Sequence, residues 1–474
     1  MFDAHLTFIA RTRPRALAVL TPRRRVTYAE FDADIDRYAA GLRDLGVTPE
    51  RGIASVATPS TYRRLVLTMA LARLGVTSTA GTDMRADMRI TERGGGDEAS
   101  VIRMTADWIS RIEAATPVPV ASAPRDLDGV ARIYLSSGTT RAPRRVPSTW
   151  RRMEAGSLNA ITAYAGGKQG LWVLSTSIES GLGYNMAALA WTVGAAVAAD
   201  FTPADIPYLM ERHPEGMIGM TPMVLRDLLR RLPAGFEPQH GWRLLVTGGQ
   251  LPPAYARDAR QRITSDIHTI YGSSEAGRAM VGPGRLVETY PGAVGYVVPG
   301  ATVEVVDADG APVPDGEVGE IRVKGERNAG TYLGDDDASA HAFRGEWFYT
   351  GDLGRRMADG LFIIEGRVDD RLNIAGFKMM PNVLENALVE HPQVLDAAAF
   401  AVPGPEGLDQ CWIAVVVEGE VTRESLMERL RQARTPKVPI RFAWAEEIPR
   451  NEMGKVDRKA LRTQTQAALE KNAI

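Results

Sequence analysis

The sequence predicts an α/β protein: a large N-terminal domain of α/β subdomains plus a small β-barrel, then a small α+β C-terminal domain. Three observations carry this. Helical and strand patterns alternate through the first 80 residues, as in a parallel sheet with helices on its faces. The style changes near residue 290 to short alternating strands. It changes again after Asp369, where helices and strands of a compact unit follow.

Taken in order, Thr27–Leu45 has apolar or small residues at Phe31, Ile35, Tyr38, Ala39 and Leu42, close to helical spacing, and Gly46 stops it. Ile53–Ala57 reads as a strand, and Tyr62–Leu74 as a helix ended by Gly75. Gly94-Gly95-Gly96 marks a turn, and Pro117, Pro119 and Pro124 mark irregular chain. Strands are expected at Ala131–Leu135, Leu171–Leu174, Met217–Gly219, Leu244–Val246 and Ile267–Ile270. Met186–Ala199 reads as a buried helix running into a strand; it is shorter than the roughly 20 residues of a membrane helix. Ala301–Val306 and Glu320–Val323 alternate across the turn Asp307–Gly310, a meander or barrel. Val383–His391 and Arg423–Ala433 are helices, Ala397–Val402 and Cys411–Val417 strands, and Asp457–Leu469 a final helix. The domains are thus expected at 1–368, with a β-rich part from about 290, and at 369–474.

Composition narrows the function. Lys plus Arg is 56 against 58 Asp plus Glu, a net charge of −2, which argues against nucleic-acid binding as the main task. One cysteine forms no internal disulfide and no Cys-based zinc site; Cys411 in an apolar strand reads as structural. Met1–Arg15 has no uninterrupted apolar segment of a signal peptide, so a cytoplasmic protein without a membrane span is expected.

The chemistry lies in loops. Ser136-Ser137-Gly138-Thr139-Thr140 follows a strand and precedes Arg141, Arg144 and Arg145. Hydroxyls, backbone N–H groups and guanidinium charge suit phosphate oxygens. An ordinary Ser/Thr-rich surface loop has the same composition, and this is no Walker A motif. Further along stand Thr247-Gly248-Gly249-Gln250, Tyr271-Gly272-Ser273-Ser274-Glu275, Tyr349-Thr350-Gly351-Asp352, Gly366-Arg367-Val368-Asp369-Asp370 and Pro449–Lys455.

In order and spacing this set resembles the adenylate-forming, AMP-binding superfamily of acyl-CoA synthetases, peptide-synthetase adenylation domains and beetle luciferase. The resemblance covers essentially the whole chain, and it implies carboxylate activation by ATP through an acyl-adenylate, then transfer to a thiol. It implies that Ser136, Ser137, Gly138, Thr139, Thr140, Arg144 and Ser274 bind ATP phosphates, and that Gly248, Gly249, Gln250, Tyr271 and Gly272 line the adenine slot. Glu275 would bind Mg²⁺. Asp352 and Arg367 would hold the ribose, Asp369 would be the hinge of a mobile C-terminal domain, and Lys455 would be catalytic, bridging carboxylate and phosphate. Gly376 and Lys378 are the candidates for the CoA step. Ile178, Glu179, Gly181 and Tyr184 fall at the acyl pocket.

Some positions depart from the family. Arg141, Arg144 and Arg145 replace its Gly and Lys-Gly, which puts loop geometry and rate in question. Ile178 replaces a pocket His. No Asp stands near Gly181, which argues against an α-amino acid. Glu179 retains two readings, a cation holder or a solvent-facing acid. The expected function is an acyl- or aryl-CoA ligase using ATP, Mg²⁺ and CoA on a small carboxylic acid, as monomer or homodimer. The alternatives are an adenylating enzyme that loads an acyl carrier protein or forms an amide, and a non-catalytic nucleotide-binding relative.

Overall fold

Local chemistry sets the first long helix. Thr27 caps Tyr28–Asp44 and forms a capping box with Glu30: the Glu30 N–H donates to Thr27 Oγ1 at 3.3 Å and the Thr27 N–H to Glu30 Oε2 at 2.8 Å. Gly46 ends it in the left-handed region, at φ 78°. The computed structural model describes residues 2–93, 100–123, 126–136, 143–374, 376–404, 408–433, 435, 438–450 and 455–470. The turn expected at Gly94-Gly95-Gly96 lies outside the described residues.

One six-stranded sheet runs Val101–Arg103, Met88–Thr91, Ala54–Ala57, Ser78–Ala80, Val130–Leu135, Arg145–Thr149. All neighbours are parallel except the last pair, in which Leu135 faces Arg145. That antiparallel pair delivers and retrieves the hydroxyl-rich loop, so the loop is the tip of a hairpin.

The larger sheet has 14 strands. Its parallel centre runs Ile267–Ser273, Trp242–Val246, Gly216–Met220, Leu171–Leu174, Ala196–Ala198, Leu17–Thr21. The buried helix Gly181–Val193 feeds Ala196–Ala198, as the apolar run predicts. Beyond Ile267–Ser273 the sheet turns antiparallel through Gly277–Pro283, Ala293–Val297, Phe362–Arg367, Trp347–Arg356, Gly319–Gly325 and Ala301–Val306. This part curls until Ala301–Val306 approaches Gly277–Pro283 without ladder pairing, a partly open barrel.

Strands from Leu372 onward pair only with one another among the described residues. Val394–Pro403, Asp409–Val417 and Ile440–Trp444 form a three-stranded sheet against the helices Pro381–Val389, Arg423–Gln432 and Arg458–Glu470. Leu384, Leu388, Ala399, Ile413 and Leu426 are fully buried there. So is Cys411, whose thiol burial pushes up to about 12, in line with a structural role.

Candidate active site

The hairpin Ile267–Ser273/Gly277–Pro283 organises the site. Sequence reasoning expects the strand to end at Ile270; pairing with the return strand extends it through Ser273. Tyr271, Gly272 and Ser273 are therefore held on a ladder. Gly272 is needed there, because a Cβ would stand 2.2 Å from the Gly277 carbonyl oxygen.

Tyr271 donates its hydroxyl to Asp352 Oδ2 at 2.6 Å, and Arg367 Nη1 donates to Asp352 Oδ1 at 3.0 Å. Asp352 and Arg367 face each other across adjacent strands. Burial raises the Asp352 pKa, and Arg367, Tyr271 and Lys455 oppose that rise. Burial, with the Asp352 charge beside it, holds the Tyr271 hydroxyl well above its ordinary value. Lys455 is exposed and lies within electrostatic reach of Asp352, although 103 residues separate them (455 less 352). The two domains thus bring together the residues expected to hold the ribose and the one expected to be catalytic.

Glu275 is 9% exposed, and its Oε1 accepts from the Tyr332 hydroxyl at 3.0 Å. Its backbone carbonyl accepts from Ala329 N–H at 2.7 Å and Arg152 Nη2 at 3.0 Å. The Ser274 carbonyl accepts from the same guanidinium at 3.2 Å. Nothing in the sequence singles out Arg152 or Tyr332. Glu275 Oε2 has no hydrogen-bond partner among the described residues; one fixed carboxylate with a spare oxygen suits Mg²⁺, which keeps most of its ligands as water and phosphate.

Of the phosphate loop, Ser137, Gly138, Thr139, Thr140 and Arg141 lie outside the described residues. Its two ends are anchored: Ser136 N–H donates to the Arg144 carbonyl at 2.9 Å, and Arg144 N–H to Ser136 Oγ at 3.2 Å. The arginines that replace the family's Lys-Gly have partners. Arg144 lies over the Tyr332 ring at 5.0 Å and 3.8 Å from Asp335. Arg145 Nε stands 3.0 Å from Asp83, which is 3% exposed. Arg145 begins a regular strand, and Asp200 is the only non-glycine with positive φ among the described residues, so the substitution brings no backbone strain.

Gly248 takes φ 80°, while the Gln250 side chain serves the domain junction: it donates to the Ile364 carbonyl at 3.0 Å and accepts from Asn382 at 2.6 Å. The side chain of Gln250 is thus engaged at the junction. Glu179 also has local partners. Its Oε1 accepts from Gly81 N–H at 3.0 Å and lies 3.9 Å from Arg64, and the side chain is half-buried. Ile178 and Tyr184 are buried, whereas a Cβ on Gly181 would meet Ser274 Oγ at 3.5 Å, which puts the start of helix Gly181–Val193 beside the hairpin. Gly376, at φ 88°, and Lys378 stand exposed on the hairpin Leu372–Ile374/Phe377–Met379; Asp369 is in the short turn just before it.

The domains meet through ion pairs that sequence reasoning misses. Arg226 of the large domain is 2.8 Å from Asp396, and Arg450 donates to both Asp396 oxygens at 2.8 Å. Arg450 pairs with Val456 across the neck of the lysine loop. Arg257 adds a 2.8 Å pair with Glu390.

The family model for AMP-binding enzymes matches residues 7–90 and 94–333, and that for the AMP-binding enzyme C-terminal domain matches 383–455. The chain belongs to the AMP-binding enzyme family. The sulfoacetate–CoA ligase of Cupriavidus necator is 30% identical over a stretch covering 74% of this chain and 69% of that protein. The mitochondrial acyl-coenzyme A synthetase ACSM2B of Homo sapiens is 27% identical over 70% of this chain; the match spans 60% of that protein, less than two thirds. The O-succinylbenzoate coenzyme A synthetase of Bacillus subtilis, solved with AMP, superposes with a TM-score of 0.83 at 21% identity over 97% of this chain and 98% of that one, a likeness of fold. No helix among the described residues is long and apolar enough to cross a membrane.

Proposed function

We propose that this AMP-binding enzyme is an acid–CoA ligase. A carboxylate oxygen attacks the α-phosphorus of ATP, pyrophosphate leaves, and the CoA thiol then displaces AMP from the acyl-adenylate. The observation that carries the reading is the Tyr271–Asp352–Arg367 cluster with Lys455 beside it from the other domain. One buried carboxylate with a donor on each oxygen is a fixed acceptor for two ribose hydroxyls. Lys455 is a point charge on a long stem, suited to bridging carboxylate and phosphate while charge moves to the leaving group.

Ser136 and Arg144, with Ser274, are the phosphate ligands in this reading. Glu275 would hold Mg²⁺, which neutralises phosphate charge when bound. The residues around Gly181 border the acyl group, and Gly376 and Lys378 serve the thiol step after the small domain turns about Asp369. The enzyme works in the cytoplasm as a monomer or homodimer.

The test is pyrophosphate release with ATP and Mg²⁺ over a panel of fatty, aryl and amino acids, with and without CoA. Release that requires an acid and rises with CoA supports the reading; release indifferent to CoA moves the acceptor to a carrier protein or an amine. Lys455→Ala is expected to lose about 10²–10³ in adenylation rate and to keep thioester formation from supplied acyl-adenylate. Equal loss in both half-reactions removes the role given to Lys455.

A further inference from the structure

Buried arginines are ordinarily paired with carboxylates. Arg73 follows the rule: it is 2% exposed and has Asp32 and Asp36 at 2.6 Å each. The buried Arg152 and Arg327 do not, and the half-buried Arg278 stands with them. Arg152, Arg278 and Arg327 gather beneath the hairpin that carries Ser274 and Glu275, and among the described residues their hydrogen-bond partners are carbonyls and one amide.

The three are not equally committed. Arg152 gives four of its five donors, to the carbonyls of Arg327, Pro147, Ser274 and Glu275. It serves the fold. Arg278 has five N–H donors and gives one to the Gly156 carbonyl, while its Nε is buried without an acceptor. Arg327 is 6% exposed and gives one donor to Asn159 Oδ1 at 3.1 Å. Burial holds Arg152 down at about 10, and burial with repulsion from Arg278 and Arg152 holds Arg327 down at about 10. The carboxylate that acts on Arg152 is Glu275, whose Oε1 is already taken by Tyr332. Two buried cations and a half-buried one therefore share almost no countercharge.

Their position relates them to the acyl group. Arg278 comes three residues after Glu275, on the return strand of the same hairpin. Its charge, like that of Arg132 and Arg152, reaches the buried Tyr134, whose ring also lies 3.7 Å from a Cβ placed on Gly181. Gly156 sets no side chain against the guanidinium, and its carbonyl takes one Arg278 donor. A chain that leaves a carboxylate activated at Ser274–Glu275 and passes Gly181 and Tyr134 heads toward this cluster.

We propose that the acid carries a second oxyanion, a carboxylate or sulfonate distal to the reacting group, and that Arg278, backed by Arg327, binds it. This rests on the ligase reading above and names its substrate class. A desolvated guanidinium pair discriminates by leaving its donors unsatisfied when a neutral chain end is bound.

The test is ATP–pyrophosphate exchange by the full chain with matched acids that differ only at the far end: butanoate, succinate and 3-sulfopropanoate, and benzoate with its dicarboxylate counterparts. The expected result is a kcat/KM about 10–100-fold higher for the bis-anion of a reacting pair. Arg278→Met brings that ratio toward one and Arg278→Lys keeps part of it, with melting curves confirming that each variant folds. Monoanions reacting as well as bis-anions, or Arg278→Met lowering both members alike, overturns the site. Exchange with no acid at all is a failure of the ligase reading instead. In that case, bis-anions that raise the melting temperature of the wild type and not of Arg278→Met keep the anion site, and no shift with any bis-anion overturns it.

Discussion

Arg226→Gln isolates what the domain junction does for catalysis. The substitution is chosen over one at Asp396 because Asp396 keeps Arg450 as a partner at 2.8 Å, so no buried carboxylate is stranded. The Arg226 and Asp396 side chains are 16% and 11% exposed, between a surface pair and a buried one. Exposed pairs are worth about 0.2–1 kcal/mol, and one-sided loss of a buried pair costs about 3–5. An intermediate value of about 2 kcal/mol shifts the equilibrium between this domain orientation and others by about 30-fold. On the role proposed for Lys455, adenylation needs an orientation that brings it to Asp352, so it falls by up to that factor, less to the extent that the closed form stays the majority. The assay is ATP–pyrophosphate exchange beside CoA thioester formation from preformed acyl-adenylate. Exchange should drop about 3–30-fold while thioester formation holds or rises. A parallel fall in both, or no change in either, would refute the claim that this ion pair places the lysine loop.

Two further outcomes follow from the site. Arg367→Gln removes a charge that lowers the Asp352 pKa, so the folded value, already raised, climbs further, and the acid limb of kcat/KM for ATP moves to higher pH. An acid limb that stays put separates Asp352 from ribose binding. Gly272→Ala forces a methyl to 2.2 Å from the Gly277 carbonyl; the hairpin must open, and a loss of about 1–3 kcal/mol by denaturant melting, with ATP affinity lost, is expected.

The parts legible in the sequence are those whose information is local. Thr27 and Glu30 lie within one turn, and the helix they cap begins where the spacing says. Tyr271, Glu275, Asp352, Arg367 and Lys455 were legible because each sits in a short run whose order resembles a family. What escaped is pairing at a distance. Arg226 and Asp396 are 170 residues apart, and Asp83 and Arg145 are 62 apart, by subtraction of their positions; neither end carries a local signal. The partners of Gln250 and Glu179 escaped for the same reason: their side chains answer Asn382 and Gly81, remote in sequence.

The anchoring of Arg145 bears on what engineering can undo. Returning Arg145 to glycine in isolation would deprive Asp83, 3% exposed, of one of its two guanidiniums, leaving Arg85 at 3.3 Å. Returning Arg144 to lysine would give up the planar contact with Tyr332, the residue that also orients Glu275. Bringing the loop to the common pattern therefore calls for paired substitutions, Arg145 with Asp83 and Arg144 with Tyr332, because contacting residues do not contribute additively.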